Sequence, residues 1–72
     1  MIENLETLVS LSKEGTMMEA STALKISQSA VSKRIANLER YYDRKLIERH
    51  GRRVVLTSHG TRLVERVTPL LS

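Results

Sequence analysis

Two helix-start signals stand so close together that only about two turns of helix fit between them, and this limits the fold more than any bulk property. The first is Thr16-Met17-Met18-Glu19, a capping box in which the Thr hydroxyl takes the amide of Glu19 while the Glu carboxylate reaches back. The second is Ser27, the N-cap of a helix whose first residue is Gln28. Between them Met17, Ala20 and Leu24 share one face, so the pattern predicts a short helix ending near Lys25, a tight turn and a second helix. Ahead of this unit Ile2, Leu5, Leu8, Val9 and Leu11 recur at helical spacing up to Gly15, which ends a first helix as a left-handed cap would.

On the third helix Val31, Ile35, Leu38 and Tyr42 fall on one stripe, the side expected to be buried. Ser29, Lys33, Ala36, Asn37 and Arg40 point the other way and are small or able to donate hydrogen bonds. Asp43, a residue that tolerates the left-handed region, marks the stop. Leu46-Ile47-Glu48-Arg49 and Arg53-Val54-Val55-Leu56 then read as two short strands around His50-Gly51-Arg52, a hairpin with a basic tip. Thr57 or Ser58 caps a last helix, which Pro69 is expected to bend. Its residues Leu63, Val64, Val67, Leu70 and Leu71 form an apolar seam that reads as a dimer interface.

At 72 residues without a cysteine, the chain has one small domain's worth of core and no disulfide or thiolate metal site to staple it. A chain of this size buries only about 60% of the surface its unfolded form exposes, so a partner chain is an expected source of further burial. Neither a secretion signal nor a run of apolar residues long enough to span a bilayer is present, and the expected setting is the cytoplasm, with no membrane partner. The net charge of +4 is unevenly spread. Glu3, Glu6, Glu14 and Glu19 outweigh Lys13 in residues 1–24, whereas nine bases face only Glu39, Asp43 and Glu48 in residues 25–53. One half is therefore a cationic face, the footprint of a chain that meets a polyanion, nucleic acid first.

Three helices followed by a small hairpin, the second and third helices joined by a tight turn, describe a mainly α winged helix-turn-helix in residues 1–57, with residues 58–72 as a further helix that carries the dimerisation seam. The third helix fits a B-DNA major groove and would enter by its N-terminal end. There the Gln28 amide can bond bidentately to adenine, Ser29 and Ser32 offer short hydroxyls, and Lys33 can reach guanine or a phosphate. Arg34 lies on the flank and suits a phosphate; Arg49 suits either a phosphate or an ion pair with Glu39. Arg52 and Arg53 at the hairpin tip suit the minor groove.

The same residues resemble the N-terminal DNA-binding domain of LysR-type transcriptional regulators along nearly the whole chain. The likeness lies in five motifs in register: Gly15-Thr16, Ser27-Gln28-Ser29-Ala30-Val31-Ser32, Leu38-Glu39, Leu46-Ile47-Glu48-Arg49 and Leu56-Thr57-Ser58-His59-Gly60. It implies that Gln28, Ser29, Ser32 and Lys33 meet base edges or nearby phosphates, that the wing bases touch the minor groove, and that the helix from Ser58 pairs with its twin. With it come Thr16 and Ser27 as further phosphate contacts, double-stranded DNA as the partner, and a homodimer that becomes a tetramer in a full-length protein. It further implies no cofactor in this chain, a small-molecule effector being held by a C-terminal domain beyond residue 72. Ser29 stands where the family commonly has proline, Lys33 where it has arginine, Asp43 where it has glycine, and Ile47 where it has phenylalanine.

The competing reading is a protein-interaction module whose last helix drives assembly while the basic face is incidental. An enzyme is not expected, since no nucleophile–base pair, paired carboxylates or phosphate-cradling glycine loop is present. Nor is a metal site: His50 and His59 have no carboxylate cluster at ligand spacing and read as surface residues.

Overall fold

The computed structural model describes residues 1–71 as α1 (Ile2–Glu14), α2 (Met17–Leu24), α3 (Gln28–Tyr42), β1 (Ile47–His50), β2 (Arg53–Leu56) and α4 (Ser58–Leu71). Ser72, the last residue of the expected 58–72 segment, lies outside the described residues. Leu8 and Leu11 of α1, Met17 and Ala20 of α2, and Val31, Ile35 and Leu38 of α3 meet in one core, closed from the wing side by Leu46, Ile47 and Val54. All three helical stripes thus converge on the same apolar centre, and this burial is what holds so small a chain together.

Each helix is punctuated as its sequence demands. Gly15 leaves α1 with φ +86° and its N–H returns to the Leu11 carbonyl at 2.9 Å. Dihedral freedom is what the position requires, because the Arg53 guanidinium 3.2 Å from where a Cβ would stand is the movable end of an exposed side chain. At the start of α2 the Thr16 hydroxyl accepts from the Glu19 amide at 3.0 Å, but the Glu19 carboxylate accepts from that same hydroxyl at 3.1 Å rather than reaching the Thr16 backbone. The turn into α3 is made by Lys25 in the left-handed region, φ +59°, with the Ile26 N–H bonded to the Ser21 carbonyl. Ser27 accepts from the Ala30 amide at 3.0 Å, the N-cap its position required, and Asp43 closes α3 at φ +54°.

Three expectations about α3 and the wing are corrected. Tyr42 does not complete the buried stripe: it is 39% exposed and packs edge-to-face on Tyr41, ring centroids 4.9 Å apart. It occupies the last turn, where it borders an open pocket with Arg44, His59 and Leu63. Glu39 is not the partner of Arg49. Its carboxylate accepts from the Leu46 amide at 2.8 Å and the Ile47 amide at 3.4 Å, with the Lys45 ammonium at 3.7 Å, so it anchors the entry to the wing. Leu46 is accordingly a buried anchor ahead of the ladder, and the strand begins one residue later than its apolar pattern implied.

The wing is an antiparallel pair with Ile47 opposite Leu56 and His50 opposite Arg53. It is docked against the corner between α1 and α2, where Val54 N–H donates to the Gly15 carbonyl at 2.8 Å and Arg53 bridges Thr16. Thr57 then caps α4, accepting from the Gly60 amide at 3.1 Å and donating to the Lys45 carbonyl at 2.7 Å. Gly60 is buried, and a Cβ on it would run into the Leu46 carbonyl oxygen. The helix continues through Pro69 to Leu71.

The seam expected for dimerisation divides in two. Leu63 and Val64 pack against the core of their own domain, Val67 is buried, and Leu71 is half-buried beside Val9 of α1. Leu70 alone of the five is widely exposed, at 81%. A 14-residue amphipathic helix that folds back on α1 uses most of its apolar side within the protomer.

Candidate nucleic-acid interface

The start of α3 projects free of the core because the capped turn from Lys25 to Ser27 sets it at an angle to α2. Gln28, Ser29 and Lys33 are exposed, and Lys33 has no carboxylate within ion-pair distance among the described residues. The Ser29 and Ser27 hydroxyls lie 3.1 Å apart, so the first turn is held by its own side chains and needs no help from elsewhere. Ser32 is half-buried and turned toward the wing, its hydroxyl 4.0 Å from the Met17 sulfur and accepting from Arg49 at 3.4 Å.

Arg49 is the joint of the surface. It borders a cleft of about 550 Å³ formed by Thr16, Met18, Gln28 and Arg52, and also a groove of about 500 Å³ running along Ser32, Ala36 and Lys45. The structure therefore brings Thr16, Gln28, Arg49 and Arg52 around one concavity and sets Ser32 on the adjoining one. The first lies between the start of α2, the first residue of α3 and the wing, and the second between α3 and the wing, an arrangement in which a helix and a hairpin can enter neighbouring grooves of one duplex.

One of the expected contacts is turned elsewhere. The Arg34 guanidinium donates to the Thr7 hydroxyl at 3.3 Å and to the Glu3 carboxylate at 3.5 Å, and its side chain is only 27% exposed, so it acts as a strut from α3 to α1. Arg53 is exposed and pairs with His50 at the tip end of the ladder, its guanidinium lying near Gly15, while Arg52 stands in the turn itself. Among the residues that line these concavities, sequence reasoning missed Met18, Glu19, Lys45 and Glu48. Met18 carried a signal: it sits beside the Thr16 cap at a position off the apolar face, and 57% of it is exposed. Glu19 introduces a carboxylate into an otherwise basic cleft, where its partner is Thr16.

Among the described residues no three His, Asp or Glu side chains converge at metal-binding spacing; His50 lies 3.7 Å from Glu48 on the hairpin, and His59 takes a hydrogen bond from Arg44 at 3.3 Å. No helix among them is long and apolar enough to cross a membrane.

Comparison with known proteins agrees with this geometry. Residues 2–61 match the family described as bacterial regulatory helix-turn-helix protein, lysR family. An uncharacterized HTH-type transcriptional regulator of Vibrio cholerae is 49% identical over 69 residues, covering 96% of this chain and 24% of its own length, so the chain spans about a quarter of that relative. Among solved structures, the DNA-binding domain of BenM in complex with benA site 1 DNA superposes with a TM-score of 0.92 at 30% identity, covering 99% of this chain and 83% of that one. Full-length LysG of Corynebacterium glutamicum with bound effector Arg gives a TM-score of 0.88 at 38% identity, covering 94% of this chain and 23% of that one. The capped turn, the exposed helix start and the docked wing are thus the features of a shared architecture, and the chain belongs to the LysR family of bacterial helix-turn-helix regulatory proteins.

Proposed function

We propose that the chain binds double-stranded DNA sequence-specifically and serves transcription control, with the N-terminal end of α3 in the major groove and the turn of the wing in the adjacent minor groove. The observation that carries this reading is the cleft shared by Gln28, Arg49 and Arg52, which sets a bidentate amide and two guanidiniums around one opening. The DNA complex of BenM, whose fold this chain shares, supports it. In this assignment Gln28 and Ser29 read base edges, Ser32 is oriented by Arg49 for the same task, Lys33 reaches a base edge and a neighbouring phosphate, and Arg49, Thr16 and Ser27 meet phosphates. Arg52 enters the minor groove. Arg34 positions α3, because its guanidinium is already engaged by α1, and Arg53, exposed beside the turn of the wing, joins Arg52 at the minor groove.

The working unit is a dimer, assembling into a tetramer in a longer protein, with α4 as the pairing element. Leu70 is the apolar residue that α4 leaves outside its own domain, and it is the natural start of that contact. Two symmetric copies would then place their reading helices about 34 Å apart, or a multiple of it. Effector binding belongs to the part of the relatives that this chain does not span.

A salt titration combined with one substitution tests the reading. A protein that neutralises Z phosphates loses affinity with a log–log slope of about −0.9Z, whereas an assembly module with an incidental basic face barely responds. Gln28→Ala is expected to lose about 1–3 kcal/mol on the preferred site and to relax its sequence preference, while Lys33→Ala also lowers the slope where its ammonium meets a phosphate. Losses from Gln28→Ala that are the same on every duplex would refute base readout.

A further inference from the structure

Three guanidinium groups gather where α3 ends and α4 begins, and among the described residues no carboxylate lies within ion-pair distance of any of them. Arg44, Arg62 and Arg66 line an open pocket of about 310 Å³ together with Tyr42, His59 and Leu63. Arg44 is oriented by two bonds, donating from Nε to His59 Nε2 at 3.3 Å and from Nη1 to the Asp43 carbonyl at 2.9 Å. Arg62 and Arg66 stand one turn apart on the exposed side of α4, a spacing at which like charges repel. Such a cluster raises the energy of the empty protein and lowers it when an anion arrives. Planar guanidinium forks match the oxygens of a phosphate better than they match a lone halide.

The pocket has more than charge. Leu63 and the half-exposed Tyr42 ring give it apolar walls, and its volume lies at the lower end of the range that small ligands occupy. It also stands apart from the reading surface. Tyr42 and Gln28 are opposite ends of α3, about 21 Å apart along an axis that rises 1.5 Å per residue. The pocket and the N-terminal end of α3 are therefore separate parts of the surface. We propose that it binds a small diffusible anion carrying a phosphate or diphosphate group. Bound there, the anion ties the loop that enters the wing to the first turns of α4, joining the reading half of the molecule to the element proposed to pair.

Inorganic pyrophosphate is the probe, titrated into the isotopically labelled 72-residue chain at constant ionic strength. The expected result is a saturable change confined to the amides of residues 42–46 and 59–66, with a raised melting temperature. Arg62→Gln/Arg66→Gln is expected to weaken binding by about tenfold or more, the loss of two charge-assisted contacts, and to fold as the parent does because neither side chain has a carboxylate partner to lose. Arg44→Gln provides a second variant on a different element, expected to weaken binding likewise. Changes spread evenly over Lys33, Arg52 and the other bases, or undiminished in both variants, would overturn the site. A non-specific duplex forms the other arm. If it moves the Tyr42 and Arg66 amides as far as pyrophosphate does, and pyrophosphate displaces it, the pocket holds a DNA phosphate and the small-ligand proposal fails.

Discussion

The two ends of α3 are built to opposite specifications. Its C-terminal half is bolted down: Ile35 and Leu38 are buried in the core, Glu39 holds the Leu46 and Ile47 amides, and Leu46 in turn supports the start of α4. Its N-terminal end is exposed and self-sufficient, with Ser27 capping the first turn and Gln28, Ser29 and Lys33 reaching solvent. A helix that must read a surface needs one end without internal obligations and another rigid enough to aim it. The residues that recognise are therefore not those that stabilise, and substitutions should separate the two properties cleanly.

The largest separation is expected at Leu38, which is fully buried between α1, α2 and the wing. Leu38→Ala should destabilise the fold by about 2–5 kcal/mol, the range for truncating a leucine in a close-packed core. Gln28→Ala should leave stability within about 0.5 kcal/mol while it impairs DNA binding. Urea unfolding of the two variants side by side is the measurement. A comparable loss of stability from both would break the division between the ends.

Gly60 comes next, and its sign is the informative part. Within an exposed helix, Gly→Ala ordinarily gains about 1 kcal/mol. In α4 the added methyl would meet the Leu46 carbonyl oxygen, a backbone atom that cannot swing aside. Gly60→Ala should therefore destabilise by about 1–3 kcal/mol, seen as a fall in melting temperature. A gain would show that α4 is not seated on the wing root as described.

Glu39 sharpens the same contrast from inside α3. Glu39→Ala leaves two wing amides without their acceptor and should cost about 1–3 kcal/mol. Hydrogen exchange at Leu46 and Ile47 should accelerate with it, while the Ala30 and Val31 amides at the other end stay protected. Uniform acceleration along α3 would mean that the helix does not divide into an anchored and a free end.

Much of this contrast was legible in the residues themselves. Thr16, Ser27, Gly15 and Asp43 mark helix boundaries because caps act within a few residues, so local chemistry decides them. The apolar stripes of α1, α2 and α3 were legible for the same reason, since a helix displays its period in sequence. What was hidden depends on partners far along the chain. Glu39 could be assigned to Arg49 by charge, but the carboxylate instead satisfies backbone amides, which no side-chain pattern reveals. The seam of α4 showed that an apolar face exists without showing that α1 covers it. Arg34 read as a cation free to meet DNA, and only the fold shows Thr7 and Glu3 beside it.

The smallest effect is expected at Arg34, and it bears on which cations the interface uses. Its ion pair with Glu3 joins a side chain 27% exposed to one 77% exposed, so solvent screens it and the pair contributes at most about 0.2–1 kcal/mol. Arg34→Ala should lower stability by that small amount. Because its guanidinium is engaged by α1, the salt dependence of DNA binding should barely change. Lys33, the neighbouring residue without such partners, should reduce the slope by about one unit when replaced by alanine. Should Arg34→Ala flatten the slope by the same amount, the strut must release α1 when DNA arrives, and the anchored half of the helix would extend closer to the reading end than the unbound geometry indicates.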